Sequence, residues 1–186
     1  VYKRQSLCVY LGLSDSPATL GFAGENYWVF GSTDHEENFR KRNDWLRDGS
    51  DTPSFYLSFP SLKDPQAKNH TADVIAFTDY DIFAPWKDLP WKKRGAEYDA
   101  FKARIASTVI DSLERRFPGF KSLVEYSEVS TPLTNEHFTA HPHGAIYGLA
   151  CVPERYDREK SPWFDVETPV PGLYLTGADA GGSPGI

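Results

Sequence analysis

The chain has 186 residues, of which 40% are hydrophobic and 15% aromatic, and this length and composition predict one folded domain, alone or with an appendage, rather than a disordered protein. Its 20 basic and 26 acidic residues leave a formal net charge of −6 without a long basic run, which argues against nucleic acid as a partner because phosphate binding needs clustered cations. Two cysteines, Cys8 and Cys151, are too few for a disulfide framework, and neither a signal peptide nor a membrane-spanning apolar run is evident, so we expect a cytoplasmic protein.

Several segments have the composition of β-strands. Alternating apolar residues predict the first strand, and runs of strand-forming residues predict the others. An acidic start and a basic end predict a short helix over residues 34–46. The predicted strands are residues 5–13, 26–31, 54–59, 72–80, 121–131 and 173–176.

The clearest element is a long amphipathic helix over residues 96–117. Pro118 and Gly119 end it, because proline cannot continue a helix and glycine favours its terminus. Together with the strands, this helix predicts an α+β fold, a mostly antiparallel sheet with flanking helices. The apolar residues that recur every three or four positions are Tyr98, Phe101, Ile105, Val109, Leu113 and Phe117.

The last sixteen residues are the most informative segment. A strand at 173–176 that runs into glycines can bring backbone N–H groups against an anionic or polar ligand, and the Asp179 carboxylate can accept a hydrogen bond from a ligand hydroxyl. A glycine-rich turn is the alternative. The segment contains neither G-x-G-x-x-G nor G-x-S-x-G, so we expect neither a complete dinucleotide site nor a serine nucleophile.

An ordered set of motifs is similar to one known family. It resembles the FAD-dependent group of phytoene dehydrogenases, carotenoid isomerases and retinol saturases, and the resemblance spans about the whole chain. The motifs are FYLSFPSLKDP at 55–65, residues 71–86, the Arg94-Gly95 step, FPGF at 117–120, STPLT at 130–134, GAIYGL at 144–149 and PGLYLTGADAGGSPGI at 171–186.

The resemblance implies part of a larger enzyme. Residues 1–170 correspond to a substrate-binding domain, and residues 171–186 to the strand and flavin-contacting segment that return to the FAD domain. The Rossmann unit that holds the ADP half of FAD is missing from this sequence. We therefore expect a fragment of an FAD-dependent oxidoreductase acting on a hydrophobic polyene or isoprenoid. By itself the fragment should neither retain FAD nor be active.

The resemblance also assigns cofactor contacts. Asp179 corresponds to a ribityl or phosphate-side partner, and the segment with Gly144, Tyr147 and Gly148 corresponds to one that approaches the flavin ring. A core tyrosine with a satisfied hydroxyl is the alternative for Tyr147. No catalytic side chain is assigned, because the flavin itself carries the hydride or electron pair. The residues that match the family's flavin signature are Gly177, Ala178, Asp179, Gly181, Gly182, Ser183, Pro184, Gly185 and Ile186.

Aromatic residues in the middle of the chain are candidates for the substrate site. Tyr80, Phe83 and Trp86, with Trp91 beside them, can line an apolar tunnel for a polyene, and ordinary core packing is the alternative. The adjacent basic residues 92–94 can contact a membrane surface if the parent protein collects a lipid there, or form a solvated turn.

Two other interpretations concern function. His137, His141 and His143, with Cys151 downstream, contain zinc-ligand residue types, but their spacing fits no standard zinc motif, so we expect no metal. A non-catalytic lipid-binding or interaction module derived from the same family is the alternative to an enzyme.

Overall fold

The computed structural model describes residues 5–52, 54–148, 152–157, 159, 165–177 and 180. An antiparallel sheet of five strands lies at its centre, in the spatial order β2-β3-β4-β1-β5. The expected α+β class with a mostly antiparallel sheet is confirmed. The strands are β1 (Gln5–Leu13), β2 (Tyr27–Phe30), β3 (Ser54–Ser58), β4 (His70–Thr78) and β5 (Val124–Ser130).

Seven α-helices and four 3-10 turns lie between and after the strands within the described residues. The helices are α1 (His35–Arg40), α2 (Asp44–Asp48), α3 (Pro60–Lys63), α4 (Ala96–Arg116), α5 (Phe120–Leu123), α6 (Pro132–Thr139) and α7 (Pro153–Tyr156). The 3-10 turns are Pro17–Leu20, Tyr80–Ile82, Ala84–Trp86 and Pro142–Gly144.

One face of the sheet packs on α4 to form the hydrophobic core. Leu7 and Val9 of β1 share a single buried cluster with Ile105, Val109 and Leu113 of α4. These helix residues recur every three or four positions, so the predicted long helix is confirmed, ending at Arg116. The core therefore lies on one side of the sheet, and α4 does not cover the other side.

The opposite side, which we call the outer face, carries aromatic side chains that solvent reaches. Trp28 on β2 is 61% exposed and Tyr126 on β5 is 60% exposed. Alternation along each strand places these residues opposite to the core-facing ones. Exposed aromatic residues grouped on one face of a sheet are typical of a binding surface.

The predicted helix over residues 34–46 is divided into α1 and α2. The interruption contains Arg42 and Asn43, which both bind Asp79 just after β4. Arg42 Nη2 lies 2.8 Å from Asp79 Oδ1, and Asn43 Nδ2 lies 2.6 Å from Asp79 Oδ2. Because of these long-range hydrogen bonds, the chain forms a turn at Arg42 and Asn43, where the local composition predicted a continuous helix.

Two predicted strands differ from the structure. The first residues of the predicted strand 121–131 form α5, which follows Gly119 at φ +94°. Residues 173–176 form only an isolated bridge, between Glu167 and Tyr174. A lone pair of extended segments with no third strand among the described residues does not make a stable sheet. No helix in this described part has both the length and the apolar character needed to cross a membrane.

Candidate functional site

An apolar pocket of about 380 Å³ lies on the outer face. Strands β2, β3 and β4 form its floor, and the segment after Gly144 forms a wall. Its volume lies in the range of small-molecule sites, and predominantly apolar linings are usual for them. The lining residues are Trp28, Phe30, Ser54, Phe55, Tyr56, Ile75, Phe77, Ile146 and Tyr147.

The strand register aligns the pocket floor. Trp28 lies opposite Tyr56, and Tyr56 lies opposite Ile75 on the next strand. The Trp28 and Tyr56 rings are 5.0 Å apart at an angle of 61°, an edge-to-face arrangement that stabilises cross-strand aromatic pairs. The floor is therefore a rigid aromatic surface on three adjacent strands.

The wall of the pocket is anchored by backbone contacts. Ala145 forms a bridge with Gln5 at the start of β1, and the His141 ring Nδ1 donates a hydrogen bond to the Ala145 carbonyl oxygen at 2.9 Å. Gly144 has φ +59°, and a Cβ atom there would overlap the Pro132 carbonyl group. Glycine is thus required for the backbone to approach α6 this closely.

A hydrogen-bonded cluster supports the same wall from α6. Tyr80 Oη donates to Glu136 Oε2 at 2.6 Å, while the His143 backbone N–H donates to Glu136 Oε1 at 2.9 Å. The Tyr80 and His143 rings are 4.9 Å apart. Burial and the bond to Glu136 raise the pKa of Tyr80, so the phenol stays protonated and remains a donor. Tyr80 therefore supports the wall from behind.

Phe83 and Trp86 lie away from the pocket. Phe83 is fully buried in the core, where its ring lies 5.6 Å from Phe101. Trp86 is half-buried and stacks on Phe101 at 5.4 Å. These positions match the core-packing alternative stated for aromatic residues, and contact of Tyr80, Phe83 and Trp86 with a substrate stays a prediction.

The predicted flavin contacts fall in two groups. Gly144, Tyr147 and Gly148 are described, and Tyr147 lies on the pocket wall. Gly177 is described with φ +110° and open space where a side chain would be. The remaining predicted contacts lie outside the described residues: Ala178, Asp179, Gly181, Gly182, Ser183, Pro184, Gly185 and Ile186.

Comparison with known proteins identifies relatives over most of the chain. The chain is 29% identical to all-trans-retinol 13,14-reductase of Danio rerio over 180 residues, which are 93% of this chain and 30% of the relative. It is 28% identical to chloroplastic prolycopene isomerase of Arabidopsis thaliana over 149 residues, 75% of this chain and 22% of that protein. An inactive all-trans-retinol 13,14-reductase of Danio rerio is 26% identical over 181 residues, 92% of this chain and 29% of the relative. No protein-family model matches.

The chain is related to the retinol reductases and prolycopene isomerase. This confirms the family resemblance predicted from the ordered motifs. The chain spans only 30% of the length of the first of these relatives. Among the described residues, the apolar pocket is the feature that bears most directly on function.

The three histidines have separate partners. His137 stacks on Trp91 with 5.1 Å between ring centres, His141 binds the Ala145 carbonyl, and His143 lies against Tyr80. The described part of the chain contains no group of three or more His, Cys, Asp or Glu residues arranged to hold a metal ion. Cys151 lies outside the described residues.

The residues that form the pocket floor were not among the site residues predicted from the sequence. Trp28, Tyr56 and Phe77 occur in strands that were predicted, but they were not proposed as site residues. The sequence did contain a signal: at 27–30 and 54–58, aromatic residues occupy both odd and even positions, so they lie on both faces of the strand. A strand that is apolar on both faces is expected to be covered on both faces.

Proposed function

We propose that this chain is the substrate-binding part of an FAD-dependent oxidoreductase that acts on a hydrophobic polyene or isoprenoid. The apolar pocket between Trp28 and Tyr147 is the observation on which this proposal mainly depends. The names of the relatives, which include a retinol reductase and a prolycopene isomerase, support the substrate class. In this proposal residues 1–170 bind substrate, and residues 171–186 return to an FAD domain supplied by the rest of the parent protein.

We propose that the flavin lies against the pocket wall. Ile146 and Tyr147 present an apolar surface there, and Gly148 continues the same segment. Together with the segment that begins at Gly177, these residues would hold the cofactor, which supplies the transfer of a hydride or electron pair. The pocket itself binds and orients the substrate and excludes water. Without the rest of the parent, we expect the chain neither to retain FAD nor to be active.

A binding experiment on the full-length parent protein tests this proposal. The purified protein should show flavin absorption and should bind all-trans-retinol with quenching of tryptophan fluorescence. Trp28→Ala should weaken this binding at least about tenfold because an aromatic side chain contributes strongly to a buried contact. Phe138→Ala is the matched control, since Phe138 is 63% exposed and does not line the pocket. Absence of flavin after loading with FAD, or equal effects of the two variants, contradicts the proposal.

A second candidate is a binding module without redox activity. The specific observation in its favour is that one relative carries the name of an inactive reductase. A module of this kind would bind the polyene in the same pocket and leave it chemically unchanged. Incubation of the flavin-loaded protein with all-trans-retinol, followed by chromatography of the extracted polyene, distinguishes the two candidates.

We also propose a peripheral contact with an anionic membrane surface. Trp91 and Phe138 have rings 5.0 Å apart and are both exposed, and Lys92 Nζ lies 4.5 Å from the Trp91 ring centre. Lys93 adds a second exposed cation beside them. Exposed aromatic rings next to lysines suit the interface of an anionic bilayer, and this local positive charge contrasts with the net charge of −6 of the chain.

A further inference from the structure

The outer face changes from apolar to polar one step along the strands from the pocket. Ile75 lies in the pocket floor, and Asp73, two residues before it on β4, lies on the same face of the sheet. Asp73 lies opposite Ser58 on β3 and opposite Tyr10 on β1. The line continues to both edges of the sheet, and we call it the polar row: Asn26, Ser58, Asp73, Tyr10 and Glu128.

Most side chains in the centre of the polar row already have partners. Ser58 Oγ donates to Asn26 Oδ1 at 3.1 Å, and Lys63 Nζ donates to Ser58 Oγ at 2.7 Å. The Tyr10 hydroxyl interacts with Cys8 and with Ser130. The hydrogen-bonding groups on both sides of Asp73 are therefore engaged with residues of the chain itself.

Asp73 is the exception. Its side chain is half-buried, yet it forms neither a hydrogen bond nor an ion pair with any of the described residues. Burial raises the pKa of this carboxyl group, and the charge of Lys63 opposes that shift. The Asp73 oxygens are not among the buried side-chain atoms that lack a partner, so they remain accessible on the outer face. A ligand hydroxyl group can therefore reach the carboxylate and donate a hydrogen bond to it, and hydrogen bonds to charged acceptors are stronger than those between neutral groups.

The spacing along β4 relates Asp73 to the pocket. Phe77 and Asp73 are four residues apart on one strand, which corresponds to about 13 Å. Phe77 lies at the end of the pocket next to the wall, because Gln5 is paired with Thr78 on one side and bridged to Ala145 on the other. Asp73 lies at the opposite end.

We infer that the outer face binds an elongated hydrophobic molecule that carries a hydroxyl group at one end. The apolar body lies over Phe77 and Ile75, and the hydroxyl group donates a hydrogen bond to Asp73. This inference rests on the proposed function, since the apolar body is the polyene or isoprenoid assigned to the pocket. It adds a specificity-determining residue, and it places the hydroxyl group at the end remote from Tyr147.

A matched pair of ligands tests the role of Asp73 in the full-length protein. All-trans-retinol and its methyl ether share one polyene, but only the alcohol can donate a hydrogen bond. The wild-type protein should bind the alcohol about tenfold more tightly, as expected for a hydrogen bond to a charged acceptor. Asp73→Ala should abolish this preference while the affinity for the ether stays within about twofold. Asp73→Asn, which keeps a carbonyl acceptor, should retain part of the preference for the alcohol.

Glu128→Gln is the matched control, because Glu128 belongs to the same row but lies exposed on the edge strand β5, and it should leave the preference unchanged. Equal affinities of the wild-type protein for the two ligands, or a preference that survives Asp73→Ala, overturn the inference and leave the pocket assignment intact. If neither ligand binds the wild-type protein, the inference and the proposed function both fail. If Asp73→Ala does not fold, full preference in Asp73→Leu with native circular dichroism overturns the inference.

Discussion

Tyr80 and Glu136 are 56 positions apart in the chain, and Tyr80 Oη lies 2.6 Å from Glu136 Oε2. The second oxygen of the same carboxylate accepts the backbone N–H of His143 at 2.9 Å. One side chain of α6 thus joins the 3-10 turn after β4 to the segment that leads into Ile146 and Tyr147. These two hydrogen bonds hold the segment that forms the wall of the apolar pocket, although no residue that lines the pocket takes part in them.

Tyr80→Phe should weaken the wall without removing any pocket residue. We expect the free energy of unfolding to fall by about 1 kcal/mol, since the lost hydrogen bond ends on a half-exposed carboxylate, and amide exchange at residues 143–147 should become faster. Hydrogen-exchange mass spectrometry measures this directly. Tyr126→Phe is the matched control, because Tyr126 Oη also donates to a glutamate, Glu128, at 3.1 Å but is 60% exposed. Equal effects of the two variants would exclude a specific role for Tyr80.

Gly144→Ala should be more damaging than an ordinary substitution of a glycine with positive φ. The added Cβ would overlap the Pro132 carbonyl group, which is backbone and cannot rotate away. Gly49→Ala is the control, since Gly49 has φ +75° and nothing within 4 Å of the new atom. We expect a loss of about 1 kcal/mol for Gly49→Ala from the left-handed conformation alone and at least about 2 kcal/mol more for Gly144→Ala. Similar urea midpoints for the two variants would contradict this.

Local patterns predict the parts of this fold that depend on local physics. The alternation of Leu7, Val9 and Leu11 predicts β1 with the bounds it has, and the helical spacing of Ile105, Val109 and Leu113 predicts α4. In both elements these apolar residues lie on the face that packs into the core, so their spacing follows the geometry of the backbone.

The pocket and its support depend on contacts that no local pattern contains. The alternation along each strand shows which residues lie on the same face as Trp28 or Tyr56. It does not show which of the two faces of the sheet α4 will cover. Arg42 and Asn43 interrupt a predicted helix because they bind Asp79, a residue more than thirty positions away. The family resemblance indicated the segment after Gly144, while its contact with the outer face became evident only from the structure.

Cys8 should be an unreactive thiol at moderately alkaline pH. Burial raises its pKa from 9.0 to about 12, and the side chain is 8% exposed. The pKa of Cys8 is higher in the folded protein than in the unfolded chain. Its contribution to the free energy of unfolding is therefore fully present below about pH 9 and is lost as the pH rises toward 12. At pH 9 we expect alkylation by iodoacetamide to be at least roughly 100-fold slower than for a peptide thiol. Mass spectrometry of the peptide that contains Cys8 measures the rate, and a rate near that of the peptide thiol would contradict the prediction.

The proposed membrane contact predicts a charge-dependent loss of vesicle binding. Each lysine near an anionic bilayer contributes about 1 kcal/mol, so Lys92→Glu should reduce the affinity of the full-length protein for vesicles of phosphatidylglycerol and phosphatidylcholine by at least about tenfold. Trp91→Ala should reduce it as well, through loss of an interfacial aromatic ring. Lys68→Glu is the control with the same change of charge, because Lys68 is exposed in the loop between α3 and β4. Co-sedimentation at increasing salt measures all three variants. Equal losses for Lys92→Glu and Lys68→Glu would show that only net charge matters, and binding that is insensitive to salt would argue against an electrostatic contact at Lys92.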